Sequence, residues 1–444
     1  MTTFSQLIRS AGVVGAGGAG FPTYIKAGAK AGQVLMNAAE CEPLLAKDIE
    51  LLNHFQDEIL EGFSALVDNT GATEGLIGIK RKHADTVANL TKAVKKYPKI
   101  KVAPMGDFYP AGDEYCLVYE LTGRVIPAGG IPLDVGVVVC NVETCLNIAR
   151  AAKTPVTHTF VTVTGAVKKP ATFHVPVGAR FSDLLRAAGG VTVSEPAYID
   201  GGPMMGRVFF DADAPIVKTT SGLIVLPKSH PLIYKKAAGY AAYSRMGKSA
   251  CDQCSFCTML CPRNLLGYNV EPHKVMRTLL FSDAGGRAAA SESALLCCEC
   301  SLCSLYSCPE GLDPRNMCVT AKQELRAKGI GVKNSPVVKG KSFGVHPLRE
   351  YRKTPVSSLV KKLGLADYKK HAPLTELPFE IKNARLMLAQ HIGVPAAPLV
   401  AAGDRVRAGQ KIADVPADKL GVAVHASING TVTKVTELYI ELQA

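Results

Sequence analysis

Apolar residues recur along this chain in several distinct rhythms. Residues 33–39 form a nearly continuous apolar run, the pattern of a strand buried on both faces. Over 48–67, Leu51, Leu52, Phe55, Ile59, Leu60 and Phe63 recur at helical spacing. A second strand pattern at 76–79 precedes a helical one at 84–96, and a third at 135–140 precedes a helix at 144–152. Strands alternating with helices predict a three-layer α/β domain over 1–155. After Thr157 the period drops to two, over 160–167 and again over 171–177. A helix at 181–188 that stops at Gly189-Gly190, and a strand at 222–226, complete a small β-grasp-like α+β domain over 156–232. Residues 233–328 read as helical. Residues 329–384, basic and rich in Pro and Gly, read as a surface-running connector. Short β segments with glycine turns fill 385–444. Near the N-terminus, Phe4, Leu7, Ile8 and Ala11 share one helical face within 1–12. A core-facing helix accounts for this, and so would an encapsulation helix.

Composition narrows the class. The chain has 444 residues, 47% apolar and 20% charged, enough for three or four packed domains and too apolar for general disorder. No apolar run of spanning length occurs, and the first residues lack the basic-then-apolar order of a signal peptide, so a cytoplasmic protein without a membrane span is expected. Lys and Arg number 51 against 38 Asp and Glu, an excess that favours anionic ligands. The basic cluster from Lys80 to Lys101 lacks interleaved aromatic residues, which argues for a solvated face and against nucleic acid.

The cysteines carry the clearest chemistry. Nine of 14 lie between Cys251 and Cys308. Cys251, Cys254, Cys257 and Cys261-Pro262 have the spacing C-x2-C-x2-C-x3-C-P, in which three thiolates wrap a cubane from one loop and the fourth reaches a second cluster. Cys297, Cys300, Cys303 and Cys308-Pro309 repeat it, with one extra residue before the last ligand. A pair of zinc sites could use such thiolates but does not require two three-cysteine loops, each followed by a Cys-Pro. Two [4Fe–4S] clusters are therefore expected. Cys298 is the one substitute ligand within the groups. By analogy with bacterial ferredoxins, ligation would cross: Cys251, Cys254, Cys257 and Cys308 on one cluster, Cys297, Cys300, Cys303 and Cys261 on the other.

A glycine-rich segment runs from Gly15 to Lys26, with four glycines in six residues, where backbone N–H groups can approach a phosphate. Together with Asn37-Ala38-Ala39-Glu40-Cys41-Glu42-Pro43, Tyr109-Pro110-Ala111-Gly112-Asp113-Glu114 and Cys140-Asn141-Val142-Glu143-Thr144, it resembles the FMN domain shared by the NADH-oxidising flavoprotein of respiratory complex I and the RnfC protein of Rnf electron-transport complexes. The resemblance implies FMN on Gly15, Gly17, Gly18, Lys26, Asn37, Glu40, Tyr109, Gly112, Asp113, Asn141 and Thr144. It implies NADH facing Phe21, Glu42 and Glu114. Ala16 and Ala39 depart from the complex I pattern, which has arginine and aspartate there.

Residues 163–170 and Asp200-Gly201-Gly202-Pro203-Met204-Met205-Gly206 resemble the SLBB β-grasp module of the same proteins. Residues 400–432 resemble a barrel-sandwich hybrid. Its turn carries Ile428-Asn429-Gly430 in place of a modifiable lysine, so its expected role is structural. The order of flavin domain, SLBB, helical ferredoxin-like dicluster domain and C-terminal barrel-sandwich hybrid resembles the PduS-type cobalamin reductases of propanediol-utilisation microcompartments. That resemblance implies an electron relay without acid–base catalytic residues, from NADH through FMN and two clusters to a corrinoid. It also implies a cob(I)alamin adenosyltransferase and a microcompartment shell protein as partners. Two other readings remain: an Rnf-like NADH:ferredoxin electron-transfer component, and a corrinoid- or partner-binding scaffold with a vestigial flavin site.

Overall fold

The computed structural model describes residues 3–281, 290–335, 338 and 344–444. Met1, Thr2 and the remaining parts of the expected helical region and connector lie outside the described residues.

The N-terminal unit is built on four parallel strands in the order Ile100–Met105, Glu74–Lys80, Gln33–Ala38, Val137–Asn141. Strand Ile100–Met105 was not expected. Its Lys101 and Pro104 obscure the apolar alternation, and both are tolerated because the strand is at the sheet edge. The chain runs outward from Gln33–Ala38 to one edge and then returns to the opposite side with Val137–Asn141. The sheet thus has a topological switch point between these two strands, the position at which α/β sheets open a ligand crevice at the strands' carboxyl ends. The helical pattern over 48–67 folds as two helices, Lys47–His54 and Gln56–Thr70, because Phe55 leaves helical geometry and its ring packs 5.7 Å from that of Phe160. Gln56–Thr70 lies close against Val142–Arg150. At Gly62 a Cβ would sit 2.0 Å from the Cys145 carbonyl oxygen, so only glycine permits this approach.

A six-stranded sheet follows, in the order Leu374–Thr375, Ala171–Pro176, His158–Gly165, Gly222–Pro227, Pro196–Asp200, Arg207–Phe209. Helix Phe181–Ala187 covers one face through Phe181, Leu184 and Leu185. Helices Tyr240–Ala250, Phe256–Met259, Pro262–Leu265, Pro272–Arg277 and Pro314–Ala327 carry or flank the cysteine loops. The last unit is a four-stranded and a three-stranded sheet around Leu386, Ile412, Val424 and Ile440.

The segment expected as a surface-running connector instead clasps the molecule. Thr354–Pro355 pairs antiparallel with Phe108–Tyr109, and Leu374–Thr375 extends the second sheet. Between them, helix Val356–Lys362 buries Val356, Leu359 and Val360 against Ile224, Leu302 and Leu305. Apolar residues at i, i+3 and i+4 carry this helix despite the basic, Pro-rich flanks. Among the described residues no helix is long and apolar enough to cross a membrane.

Candidate functional site

Asn37 and Asn141 are directly paired in register at the switch point, so their side chains flank the crevice from adjacent strands. Each is held by local bonding. Asn37 Nδ2 donates to the Gly112 carbonyl at 2.9 Å and its Oδ1 accepts from Ala39 N. Asn141 caps helix Val142–Arg150 through Glu143 N and donates to Asp48 Oδ2 at 2.9 Å.

The glycine loop sits beside Asn141. It closes through Gly15 N to the Phe21 carbonyl, 2.9 Å, and Gly20 N to the Gly15 carbonyl, 3.2 Å. Ala16 anchors it from below: its N–H donates to Thr144 Oγ1 at 3.0 Å, and its carbonyl accepts from Lys47 Nζ at 3.1 Å. Gly17 faces Asn141, whose side chain would lie 3.5 Å from an added Cβ. Gly18, at φ +111°, has open space around that position. Among the described residues the N–H groups of Gly17, Gly18 and Ala19 have no acceptor. Three free donors beside a glycine with an empty flank form a cradle that fits a phosphate.

Lys47 was not anticipated. It is 2% exposed and forms an ion pair of 2.7 Å with Glu143, which is 1% exposed. Burial alone would push the lysine pKa down, but Glu143 and Asp48 outweigh it and hold the value above the ordinary one. Glu143 also accepts from Thr159 Oγ1 and Phe160 N, so the pair ties the glycine loop to the second unit. Glu40 accepts from Asp48 N at 2.8 Å and Ile49 N at 3.3 Å. Burial, with Asp48 adding to it, raises its pKa to about 8, so this acid is mostly protonated at neutral pH without a ligand. Burial likewise raises Asp48 to about 6.

The other expected residues divide into two groups. Phe21, Lys26 and Glu114 converge: Lys26 Nζ donates to the Val139 carbonyl at 2.9 Å, pairs with Glu114 at 3.4 Å and lies 5.8 Å from the Phe21 ring centroid. Gly112 backs onto Asn37 and Cys41, where a Cβ would come within 3.3 Å of the amide and 3.2 Å of the thiol. Tyr109, Asp113 and Glu42 have their polar atoms engaged away from the crevice. Tyr109 Oη donates to the Cys300 carbonyl at 2.8 Å. Asp113 caps helix Glu114–Thr122 and pairs with Arg263 at 2.8 Å. Glu42 accepts from Met204 N at 2.9 Å and Met205 N at 2.8 Å, closing the second unit onto the first.

The two cysteine loops adopt one conformation. Gln253 and Ser255 flank Cys254 at φ +61° and +64°, and Glu299 and Ser301 flank Cys300 at φ +59° and +65°. Left-handed backbone at four non-glycine residues costs roughly 1 kcal/mol or more each and is sustained where a loop must turn its thiols to one point. Cys251, Cys254, Cys257 and Cys308 line one small cavity. Burial, then the neighbouring Cys308, Cys251 and Cys254, pushes the Cys257 thiol up to about 12. Cys261 is buried in an apolar cluster against which Cys297 of the second loop packs, and burial, followed by the neighbouring Cys298, raises its thiol pKa. Cys308 thus stands with the first loop, and Cys261 stands beside Cys297 of the second. Cys298 packs beside Cys300, and the fully buried Cys318 packs beside Cys297.

Comparison with known proteins gives these regions an ancestry. The chain matches the Nuo51 FMN-binding domain over 8–150, the SLBB domain over 160–208, a 4Fe-4S dicluster domain over 250–313 and the RnfC barrel sandwich hybrid domain over 365–444. It is 41% identical over 437 residues to cobalamin reductase PduS of Citrobacter freundii, covering 98% of this chain and 95% of that one. Its identity to cobalamin reductase PduS of Salmonella typhimurium is also 41%, over 97% of this chain and 94% of that one. The chain belongs to the PduS family. Similarity to a component of the Na(+)-translocating ferredoxin:NAD(+) oxidoreductase complex of Acetobacterium woodii is 33% over 275 residues, 60% of this chain and 59% of that one. The crevice of this PduS-family chain lies within its FMN-binding domain, and eight cysteines in two sets lie within its dicluster domain.

Proposed function

We propose that this protein is a cobalamin reductase that takes electrons from NADH and delivers them singly to a corrinoid. FMN and two [4Fe–4S] clusters, when bound, supply the change from a two-electron donor to one-electron transfer. The observation that carries this reading is the direct joining of the crevice region to both cysteine groups, through Tyr109 to Cys300 and through Asp113 to Arg263, which follows Cys261-Pro262. The free N–H groups of Gly17, Gly18 and Ala19 hold the flavin phosphate, and Asn37 and Asn141 bound the flavin between the strand ends. Lys47 and Thr144 fix the loop so that this cradle is preformed. Phe21, Lys26 and Glu114 form the mouth through which the nicotinamide nucleotide enters. Cys251, Cys254, Cys257 and Cys308 hold one ferredoxin-like cluster, and Cys261, Cys297, Cys300 and Cys303 hold the other. Burial of the second set shields it from water; Cys254 of the first set is exposed and suits delivery. The family resemblance extends this to a cob(I)alamin adenosyltransferase that consumes the product, inside a microcompartment whose shell protein binds this chain.

Anaerobically purified protein should show flavin bands and broad iron–sulfur absorption, and should reduce cob(III)alamin with NADH. A spectrum with neither would favour the scaffold reading. Gly18→Val should expel FMN, because valine is strained at φ +111° and fills the cradle, while dithionite still reduces the clusters. An FMN-free variant that reduced corrinoid from NADH at the wild-type rate would place electron entry elsewhere. Cys308→Ser should perturb the same EPR signal as Cys254→Ser and not that of Cys300→Ser.

A further inference from the structure

Arg263 follows Cys261-Pro262 and is 7% exposed. Its guanidinium lies 3.5 Å from the Tyr115 ring centroid, and Nη2 donates to Asp113 Oδ2 at 2.8 Å. Nε and Nη1 are buried and have no partner among the described residues. Leaving such donors unmet costs about 1–3 kcal/mol each, more for a charged group, so an acceptor is expected in the space they face. The surroundings are Cys116, Cys261, Leu266, Tyr268 and Val270, with Cys297 packed against them, and Cys298 also feels the charge. These are the surroundings of the cysteine set that contains Cys261. The equivalent position in the other set, after Cys308-Pro309, is Glu310, which lines the cavity of Cys251, Cys254 and Cys257. One Cys-Pro is therefore followed by a buried cation and the other by an exposed anion.

We propose that the free Nε–H and Nη1–H of Arg263 donate to sulfur of the cluster held by Cys261, Cys297, Cys300 and Cys303. Through them Arg263 holds the potential of this inner cluster above that of the outer one. Hydrogen bonds and positive charge at the sulfurs favour the reduced, more negative cluster, and a carboxylate disfavours it. Arg263 is thus a positioning and tuning residue. Of the electrons that NADH supplies, taken singly, the first settles on the inner cluster; the outer cluster beside Glu310 is reduced second and, once reduced, is the stronger one-electron donor to the acceptor. This rests on the electron-relay reading above.

The test is an EPR-monitored redox titration of the holoprotein poised with dithionite, which needs neither NADH nor corrinoid. In the wild type the signal that Cys300→Ser removes should titrate at the higher potential. Arg263→Gln should lower that signal alone, with the reduced-to-oxidised ratio at fixed poise falling tenfold or more, equivalent to 59 mV for one electron. Glu310→Gln should raise only the other signal, by less, because its charge is screened by solvent. If Arg263→Gln fails to load the inner cluster, wild-type protein carrying 15N-guanidino arginine answers the same question. Pulsed EPR should then find 15N coupling in the inner signal and none in the outer. Equal or inverted potentials in the wild type, an unchanged inner signal in Arg263→Gln, or no 15N coupling would overturn the proposal. If the titration behaves as expected but NADH reduces neither cluster, the electron-relay reading fails and the tuning role stands.

Discussion

The Tyr109 hydroxyl donates a 2.8 Å hydrogen bond to the backbone carbonyl of Cys300, a bond that spans 191 residues of sequence. Tyr109 is 2% exposed, and burial, followed by the nearby Glu42 and cysteines, holds its pKa well above the ordinary value, so the group remains a donor at any working pH. It fixes the turn that presents Cys300, between two left-handed residues, against the unit that carries the crevice. Tyr109→Phe should leave that carbonyl unmet in the core and cost about 1–2 kcal/mol in denaturant unfolding. FMN and iron content should persist. Stopped-flow reduction of the clusters by NADH should slow, while reduction by dithionite should not. Equal slowing with both reductants would mean that the bond supports the loop and has no part in coupling the two sites.

Lys47 and Glu143 form the buried ion pair beneath the glycine loop, and each makes a further bond, Lys47 to the Ala16 carbonyl and Glu143 from Thr159 Oγ1. Lys47→Met should leave a buried carboxylate uncompensated and cost about 3–5 kcal/mol. It should also release the Ala16 carbonyl and weaken FMN retention, read by flavin fluorescence after gel filtration. Adding Glu143→Gln should recover part of the stability and little of the flavin, because the neutral pair no longer holds the loop. Full recovery of flavin in the double variant would show that the loop needs no anchor at Ala16.

Glu42 and Glu114 were expected in one role, and their partners differ. Glu42 holds the backbone of Met204 and Met205, and Gly202 is tightly packed against it, since a Cβ added there would lie only 2.1 Å from the carboxylate. Glu114 stands at the mouth with Lys26, its side chain 47% exposed. Glu114→Gln should change the KM for NADH several-fold with FMN retained. Glu42→Ala should leave that KM nearly unchanged but lower stability by about 1–3 kcal/mol, since two backbone donors lose their acceptor. The reverse pattern would return Glu42 to the nicotinamide site.

These residues mark the limit of what the chain discloses by itself. The 4Fe-4S dicluster region was legible because cysteine spacing is a local property that survives without any knowledge of the fold. Asn37 and Asn141 could be named by resemblance, yet their register pairing exists only once the two strands are adjacent in the sheet. Nothing local separates Glu42 from Glu114, since the partners of the former lie 162 residues away. Lys47 followed by Asp48 reads as a solvated helix start, and burial of that start became visible only with Glu143 packed beneath it. The helix Val356–Lys362 was hidden by lysines and prolines that suggested an exposed strap, although its apolar residues already had helical spacing.

Lys218 joins the three units that meet behind the glycine loop. Its Nζ donates to the Gly12 carbonyl at 2.8 Å and the Ala423 carbonyl at 3.0 Å, and its own N–H donates to Gln390 Oε1. Two acceptors match the two N–H bonds of a neutral amine, and the neighbouring His391 and His425 supply no negative charge. Burial accordingly lowers the lysine pKa from 10.5 to about 7. Between these values the unfolded chain carries a proton that the folded chain lacks, so folding releases it and stability rises with pH. Below about pH 7 both states are protonated and the penalty of the buried charge is constant; above 10.5 both are neutral and the penalty is gone. Compared with Lys218→Met, in which no such group titrates, the wild type should therefore gain stability from about pH 7 to about pH 10, by at most about 5 kcal/mol. Unfolding by urea at about pH 7, 8.5 and 10 in both proteins isolates this contribution, because the other lysines cancel in the difference. A flat difference would mean that Lys218 keeps its proton in the folded state, with the two carbonyls alone sufficient to hold a buried ammonium.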